Sequence, residues 1–273
     1  MDCTSLAGRD HQLSLTDELI VAVSNDGDIF IWERQNFDLI FKDSEAHNSS
    51  IYGVKMLEDT LFTGDIEGTL NIFNVSKEEV VKKNTVNTER RITHLDYDGT
   101  YLLIGSAQFL YLMTVDEKAN LEEHIRIESG WIGSCSLSYP FAISTRSSGG
   151  AKIWDLRTGS LYKNILEDTN MHFFLHNVQN GILAIAPHHI HNREKTFLVD
   201  LRTIENETPR VKSFKDFQKQ LFSWHYGVGV CLNDTKLVVG VGRFFVVKEF
   251  WYYHVQNDEE YIGIENLFTK GFL

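Results

Sequence analysis

Hydrophobic and polar positions follow one another along most of this chain in a way that predicts β-strands. In the first clear example, an apolar run over residues 19–23 is followed by the turn dipeptide Asp26-Gly27 and by an alternating run that ends at Trp32. Period-two alternation, β-branched and aromatic side chains and Asp-Gly turns are the signals of β-hairpins. Helical spacing competes only at residues 213–222, which predict one short helix.

This hairpin recurs six times at a nearly constant spacing, which indicates a repeat architecture. The residues that close successive hairpins are Trp32, Phe73, Met113, Trp154, Leu198 and Trp251. Four of the five intervals between them are 40 to 44 residues long, and the last is 53. Candidate first strands precede most hairpins at residues 51–57, 92–97, 132–138, 172–178 and 226–232, and candidate fourth strands follow at residues 37–41, 79–83, 121–127, 161–166 and 210–214. Four short strands in each period predict one blade of a β-propeller.

The hairpins also resemble those of a known family. Residues 151–160, which include the dipeptide Trp154-Asp155, resemble the end of a WD repeat, and residues 24–33 and 63–74 resemble the same hairpin with conservative exchanges. The resemblance extends over about residues 17–255. It implies an all-β fold, a single β-propeller of WD-repeat type in which some blades are degenerate.

The length predicts one domain over residues 1–273, because 273 residues are about the length of one ring of such blades. Six or seven blades fit, and seven is preferred because residues 202–222 leave room for a degenerate copy. Residues 11–16 and 261–267 are the candidate strands that close the ring and remove its exposed edges.

The WD-repeat resemblance further implies a polar contact inside each well-formed blade. An Asp in the turn between the two middle strands hydrogen-bonds a His that precedes the first strand. Asp26 fits the turn position, Glu67 fits it in part, and His47 is the one usable His partner. The later copies lack these residues, so we expect the third to sixth blades to be less stable locally than the first two.

Charge and cysteine content narrow the function classes. The chain has 26 Lys and Arg against 38 Asp and Glu, a net charge of −12. This balance argues against nucleic acid or an anionic membrane as the partner, because both require a cationic surface. Cys3, Cys135 and Cys231 are odd in number and form no CxxC motif, so neither a disulfide framework nor a zinc site is expected. With no signal-peptide pattern in the first ten residues, a cytoplasmic or nuclear location is favoured.

Cofactor and metal motifs are weak in this sequence. His188, His189 and His191 fall in one loop between strands, where a solvated loop is favoured over a ligand contact or a metal site. The two Gly-Val-Gly patterns, at residues 227–229 and 240–242, lie in or beside strands rather than at the start of a helix. We therefore expect no cofactor and no metal.

The loop face carries the candidate binding residues. In a propeller, the loops that enter the innermost strand and the loops that join the two middle strands open on the same face. Trp and Arg are the residue types most enriched at interface hot spots. The candidate partner-binding residues at these loops are Arg90, Arg91, Trp131, Arg146, His172, Trp224, His225 and Arg243. The alternative is that both tryptophans pack between blades and that the arginines are solvated.

These observations favour a non-catalytic module that binds a protein or peptide, acidic or phosphorylated, on one loop face. Eroded repeats with long gaps resemble the propellers of F-box and WD-repeat proteins, which implies a substrate receptor or scaffold in a ubiquitin-ligase complex. No helical F-box segment precedes the first blade, so either a truncated form or a plain WD-repeat scaffold is expected. The competing class is a hydrolytic enzyme with its active site in the central channel, where the ionisable candidates are His94, Asp96, His172 and His176.

Overall fold

The structure is a computed structural model, and it describes residues 11–130, 132–146, 150–165, 173–179, 182–187, 196–201, 211–214, 228–232, 236–241, 244–254 and 260–271. The chain divides into two compact units. The first unit contains Met1–Ser144 and Ile153–Lys163, and the second contains Thr145–Lys152 and Asn164–Leu273. Both are built from antiparallel β-sheets in which each strand pairs with its neighbour in sequence.

Three complete four-stranded sheets lie in the first unit. The first sheet consists of β1 (His11–Leu15), β2 (Leu19–Ser24), β3 (Ile29–Glu33) and β4 (Leu39–Asp43). The second consists of β5 (Ile51–Leu57), β6 (Thr60–Asp65), β7 (Thr69–Val75) and β8 (Val80–Asn87). The third consists of β9 (His94–Tyr97), β10 (Tyr101–Ser106), β11 (Phe109–Val115) and β12 (Leu121–Glu128).

Three further sheets follow in the described residues. The fourth consists of β13 (Ile132–Ser138), β14 (Phe141–Arg146), β15 (Ala151–Asp155) and β16 (Ser160–Ile165). The fifth consists of β17 (Phe173–Gln179), β18 (Ile182–Pro187), β19 (Thr196–Asp200) and β20 (Val211–Phe214). The sixth consists of β21 (Val228–Leu232), β22 (Lys236–Val241), β23 (Phe244–His254) and β24 (Glu260–Gly271).

The all-β prediction is confirmed, and one detail of the sequence analysis changes. Val211–Phe214 is the fourth strand of the fifth sheet, so the helix expected over residues 213–222 is wrong at its first two residues, and residues 215–222 lie outside the described part. The terminal strands pair locally, β1 with β2 and β24 with β23. The described residues thus form six sheets, whereas blade number and ring closure stay predictions.

Apolar side chains on both faces of the middle strands join neighbouring sheets of the first unit. Leu61 and Phe62 are adjacent in β6, and both are fully buried. Leu61 belongs to a cluster with Ile31 of the first sheet, and Phe62 belongs to a cluster with Ile104 of the third. Since successive side chains of a strand point to opposite faces, a strand between two neighbouring sheets must be apolar on both.

The part of the chain that the structure describes contains no helix that is long and apolar enough to cross a membrane.

Candidate functional site

Antiparallel pairing gives each sheet of the first unit two distinct ends. We call the end at which the second and third strands connect the upper end, and it also receives the segments that join one sheet to the next. The opposite end, with the other two connections, is the lower end. The first strands β1, β5 and β9 contact one another in that order, so the upper ends of the first three sheets lie side by side. The predicted loop face corresponds to the upper end.

A buried hydrogen-bond network holds the upper end of the second sheet. His47, in the segment between the first two sheets, has its Nδ1 2.9 Å from Asp65 Oδ2 and its Nε2 2.8 Å from Thr63 Oγ1. The amide of Asn71 adds contacts, donating to the Ala46 carbonyl at 2.7 Å and lying 3.1 Å from His47 Nε2. All these side chains are buried, so each polar group requires its partner.

The pKa values of this network fix its protonation. Burial lowers the pKa of His47 and outweighs the attraction of Asp65, so the ring is neutral at neutral pH. Burial raises the pKa of Asp65, but hydrogen bonds from His47 and from the backbone N–H of Thr69 outweigh it and lower the value. The neutral ring therefore donates from Nδ1 to the carboxylate and accepts at Nε2 from the Thr63 hydroxyl.

His47 thus makes the contact that the resemblance implied, but the carboxylate partner differs from the predicted one. Asp26 and Glu67 are exposed in their turns, and the partner is Asp65, the last residue of β6. Asp65 also accepts the N–H groups of Glu67 and Thr69 and so closes the turn. In the first sheet Ser24 takes this place and accepts the N–H groups of Asp26 and Asp28.

Gly27 and Gly68 each let one segment between two sheets cross the turn of the preceding sheet. Gly27 and Gly68 have φ of +90° and +94°, in the left-handed region that favours glycine. A Cβ on Gly27 would collide with the His47 carbonyl, and one on Gly68 would lie 2.7 Å from the backbone of Arg90. The carbonyls of these glycines accept the N–H groups of His47 and Thr88. The same geometry therefore positions His47 and the segment that carries Arg90.

The two predicted arginines of this segment have different surroundings. Arg90 is half-buried, lies 4.1 Å from the centre of the Tyr111 ring and pairs with Glu123 at 2.9 Å. Arg91 is exposed and lies 5.9 Å from the Tyr52 ring. Arg90 is therefore engaged within the protein, whereas Arg91 presents its charge to solvent.

Sequence reasoning missed one further cation of the upper end, Arg126. Arg126 is exposed on β12, 4.2 Å from the Phe109 ring and 5.7 Å from the Tyr111 ring, and β-sheet register places it opposite Tyr111. The predicted strand contained Arg126, but only this register places it near the Tyr111 ring that Arg90 also contacts. Arginines stacked on aromatic rings retain donors for a carboxylate or phosphate.

Most of the other predicted binding residues lie outside the described residues, namely Trp131, His172, Trp224, His225 and Arg243. Arg146 is the last residue of β14 and so lies at the upper end of the fourth sheet. Their role in binding stays a prediction.

The ionisable groups of the first strands are engaged or shielded. Asp96 forms an ion pair with Lys55 at 2.7 Å and accepts a hydrogen bond from the N–H of Leu137, also at 2.7 Å. Burial lowers the pKa of His94 to about 4, so its ring is neutral, and raises the pKa of the buried Cys135 thiol. Among the described residues, no group of His, Cys, Asp and Glu could hold a metal ion. His172 lies outside the described part, and so do the side-chain surroundings of His176.

Comparison with known proteins identifies the fold and no family. No protein-family profile matches the chain, and no curated protein matches its sequence. Among solved structures, the chain is similar to a chain in the crystal structure of a mitotic checkpoint complex, with a TM-score of 0.70 and 12% identity. The similarity covers 96% of this chain and 79% of that chain. Together with the successive four-stranded sheets, it supports a β-propeller fold.

Proposed function

We propose that this protein is a non-catalytic protein-interaction module that binds a protein or peptide at the upper ends of its sheets. The observation that carries the proposal is the group of three arginines at the second and third sheets, Arg90, Arg91 and Arg126, each placed near an aromatic ring. The similar solved structure is that of a protein complex, which supports protein partners for this fold. Fold alone does not fix function, so the site carries the argument.

The partner segment we propose is acidic or phosphorylated. The pair between Arg90 and Glu123 is exposed, and exposed pairs contribute little free energy, so a carboxylate or phosphate of the partner can replace Glu123. Arg91 and Arg126 are exposed beside it. The finer role, a cytoplasmic or nuclear substrate receptor or scaffold in a ubiquitin-ligase complex, belongs to the same proposal and rests on the resemblance of the repeats alone.

A quantitative pull-down tests this proposal. The full chain and the variant Arg91→Glu plus Arg126→Glu are compared by mass spectrometry of bound proteins, with Arg146→Glu plus Arg243→Glu as a second variant. The matched control is Arg34→Glu plus Lys118→Glu, which reverses two exposed cations at the lower end. We expect specific partners to be lost from both arginine variants and retained by the control. An unchanged partner list in the two arginine variants would refute the proposed site.

A role in a ubiquitin-ligase complex predicts one further result of the same pull-down. The wild-type chain should recover a ubiquitin-ligase scaffold subunit. The two arginine variants should still recover it, because substrate and ligase would occupy different surfaces. Recovery of partners without any ligase subunit would support the interaction module and refute the role in a ubiquitin-ligase complex.

A further inference from the structure

An aromatic surface lies at the lower ends of the third and fourth sheets, on the side opposite to the proposed site. We define the lower aromatic patch as Tyr101, Tyr139, Phe141 and Tyr162. Tyr101 and Tyr139 are stacked with ring centres 4.8 Å apart, and Phe141 and Tyr162 have ring centres 5.0 Å apart. Tyr139 and Tyr162 are 44% and 38% exposed, so both ring pairs reach solvent.

Backbone contacts hold the patch in place. Asp98 accepts the N–H groups of Thr100 and Tyr101 and so fixes the turn from which Tyr101 projects. The N–H of Leu156 donates to the Pro140 carbonyl at 2.8 Å, which ties together the two lower connections of the fourth sheet. The rings are therefore ordered before any partner binds, which reduces the entropy lost on binding.

Arg157, in the lower connection between β15 and β16, adds no uncompensated positive charge near the patch. Its guanidinium forms two hydrogen bonds to Asp155, at 2.9 and 2.6 Å, which compensate its charge. The pKa of Arg157 is raised, first by its hydrogen bonds to Asp155 and least by Tyr139 and Tyr162. Tyr and Arg in one exposed cluster are the composition of interface hot spots.

Carboxylates dominate the connections around the patch. The lower connections of the first four sheets contain ten acidic residues, which are Asp17, Glu18, Asp38, Glu58, Asp59, Glu78, Glu79, Asp98, Asp116 and Glu117. The same connections contain four cations, which are Arg34, Lys77, Lys118 and Arg157. Arg34, Lys77 and Arg157 already pair with carboxylates of this protein. The lower end of the first unit is therefore an anionic surface whose third and fourth sheets carry the aromatic patch.

We infer that the lower aromatic patch binds a basic extended segment of a partner protein. Lys and Arg side chains fit this surface in two ways, since their cations are attracted to Tyr rings and carboxylates while their aliphatic stems cover the rings. An acidic segment would meet repulsion here. This second surface rests on the proposed protein-binding function, but it differs from the upper-end site in position and in the charge of its ligand.

Peptide binding to the full chain tests the inference by fluorescence anisotropy. The probe is a fluorescein-labelled 12-residue peptide with four arginines among prolines and leucines, and the reference probe has glutamate in place of each arginine. We expect saturable binding of the arginine probe and at least about tenfold weaker binding in Tyr139→Ser plus Tyr162→Ser. The matched control is Leu13→Ser plus Leu39→Ser, which removes exposed apolar side chains elsewhere and should leave the affinity unchanged.

A second variant tests how much the negative charge around the patch contributes to peptide binding when the tyrosine rings are kept. Glu58→Gln plus Glu117→Gln removes two exposed carboxylates of the lower connections and keeps both the rings and the Asp98 turn. We expect it to weaken the arginine probe by about two- to fivefold and to reduce the salt dependence of binding. Equal binding of the two probes, unchanged affinity in the tyrosine variant, or self-association in place of peptide binding would overturn the inference. Arg91→Glu plus Arg126→Glu should bind the arginine probe normally, so failure here and failure of the upper-end site are distinguishable.

Discussion

The second and third sheets of the first unit have different side chains at equivalent positions of their upper ends. The backbone N–H groups of His47 and Thr88 both donate to the carbonyl of the preceding turn glycine, which puts these two residues at equivalent positions. Strand register matches the pair Thr63 and Asn71 with the pair Ile104 and Tyr111. The second sheet fills these positions with a buried polar network. The third fills two of them with the buried side chains of Ile104 and Tyr111.

This difference connects structure to the proposed site. Tyr111 occupies the position of Asn71 and so places an aromatic ring where the second sheet has a buried amide. Arg90 and Arg126 both lie against that ring. The loss of the polar network in one repeat therefore coincides with the gain of an arginine-binding surface at the same end of the sheet.

Removal of His47 should have the largest effect on stability. His47→Ala leaves Asp65 Oδ2 without the His47 donor and the Thr63 hydroxyl without its acceptor, while Asn71 keeps its bond to the Ala46 carbonyl. We expect the free energy of unfolding to fall by about 3 kcal/mol. Urea denaturation of the full chain measures the change. Thr88→Ala at the equivalent position removes only hydrogen bonds to two carbonyls and should cost about 1 kcal/mol. Equal losses would show that the second sheet does not depend on its network.

Acidification should weaken the second sheet before carboxylates titrate. A histidine with a lowered pKa in the folded protein binds its proton more readily when unfolded, so stability falls as pH drops below about 6.5. The lowered pKa of Asp65 adds a loss only below about pH 4. His94 contributes in the same direction as His47, because its pKa is also lowered.

Thermal unfolding at pH 7, 6 and 5 separates the two histidines. We expect His47→Gln and His94→Gln each to reduce the slope of the midpoint against pH, and the double variant to flatten it. A slope that neither substitution changes would mean that other groups control the acid response.

Hydrogen exchange should detect a smaller, local difference between the sheets. We expect backbone N–H groups of β6 and β7 to exchange more slowly than those of β10 and β11, because the network ties the second sheet to the segment before it. The full chain is measured by mass spectrometry after proteolysis. Uniform protection across the sheets would contradict the expectation that repeats without the network are locally less stable.

Conservative replacement of Tyr111 should have the smallest effect on stability. Tyr111→Leu keeps the buried apolar contact and removes the ring that supports both arginines, so we expect a loss of about 1 kcal/mol or less and weaker binding of an acidic partner. If this substitution left the affinity for the partner unchanged, the Tyr111 ring would not be part of the proposed site.

Short apolar runs bounded by turn residues predicted much of the strand order, because a strand between two sheets must be apolar on both faces. Residues 51–57 and 132–138 form strands with the predicted bounds. His47 was also predicted, since it is the His ahead of a first strand. Asp65 was not, because the carboxylate that closes the turn follows from hydrogen bonding in three dimensions and not from the turn dipeptide.

The surfaces were harder to predict than the strands. Arg126 lies in a predicted strand, but its role depends on the register that puts it opposite Tyr111. The lower aromatic patch combines four residues from three strands and one turn, none of which forms a sequence motif. Arg90 fits the composition of a hot spot, yet Glu123 already occupies its guanidinium.

Site-specific photocrosslinking tests most directly whether the ends of the sheets bind protein partners. A photoreactive amino acid is placed in turn at Arg91, at Tyr139 and, as a control on the exposed side of β8, at Lys83. We predict discrete protein adducts from Arg91 and Tyr139, with different partners at the two ends, and none from Lys83. Adducts at Lys83 alone, or no adduct at either end, would contradict the proposal that this protein is an interaction module.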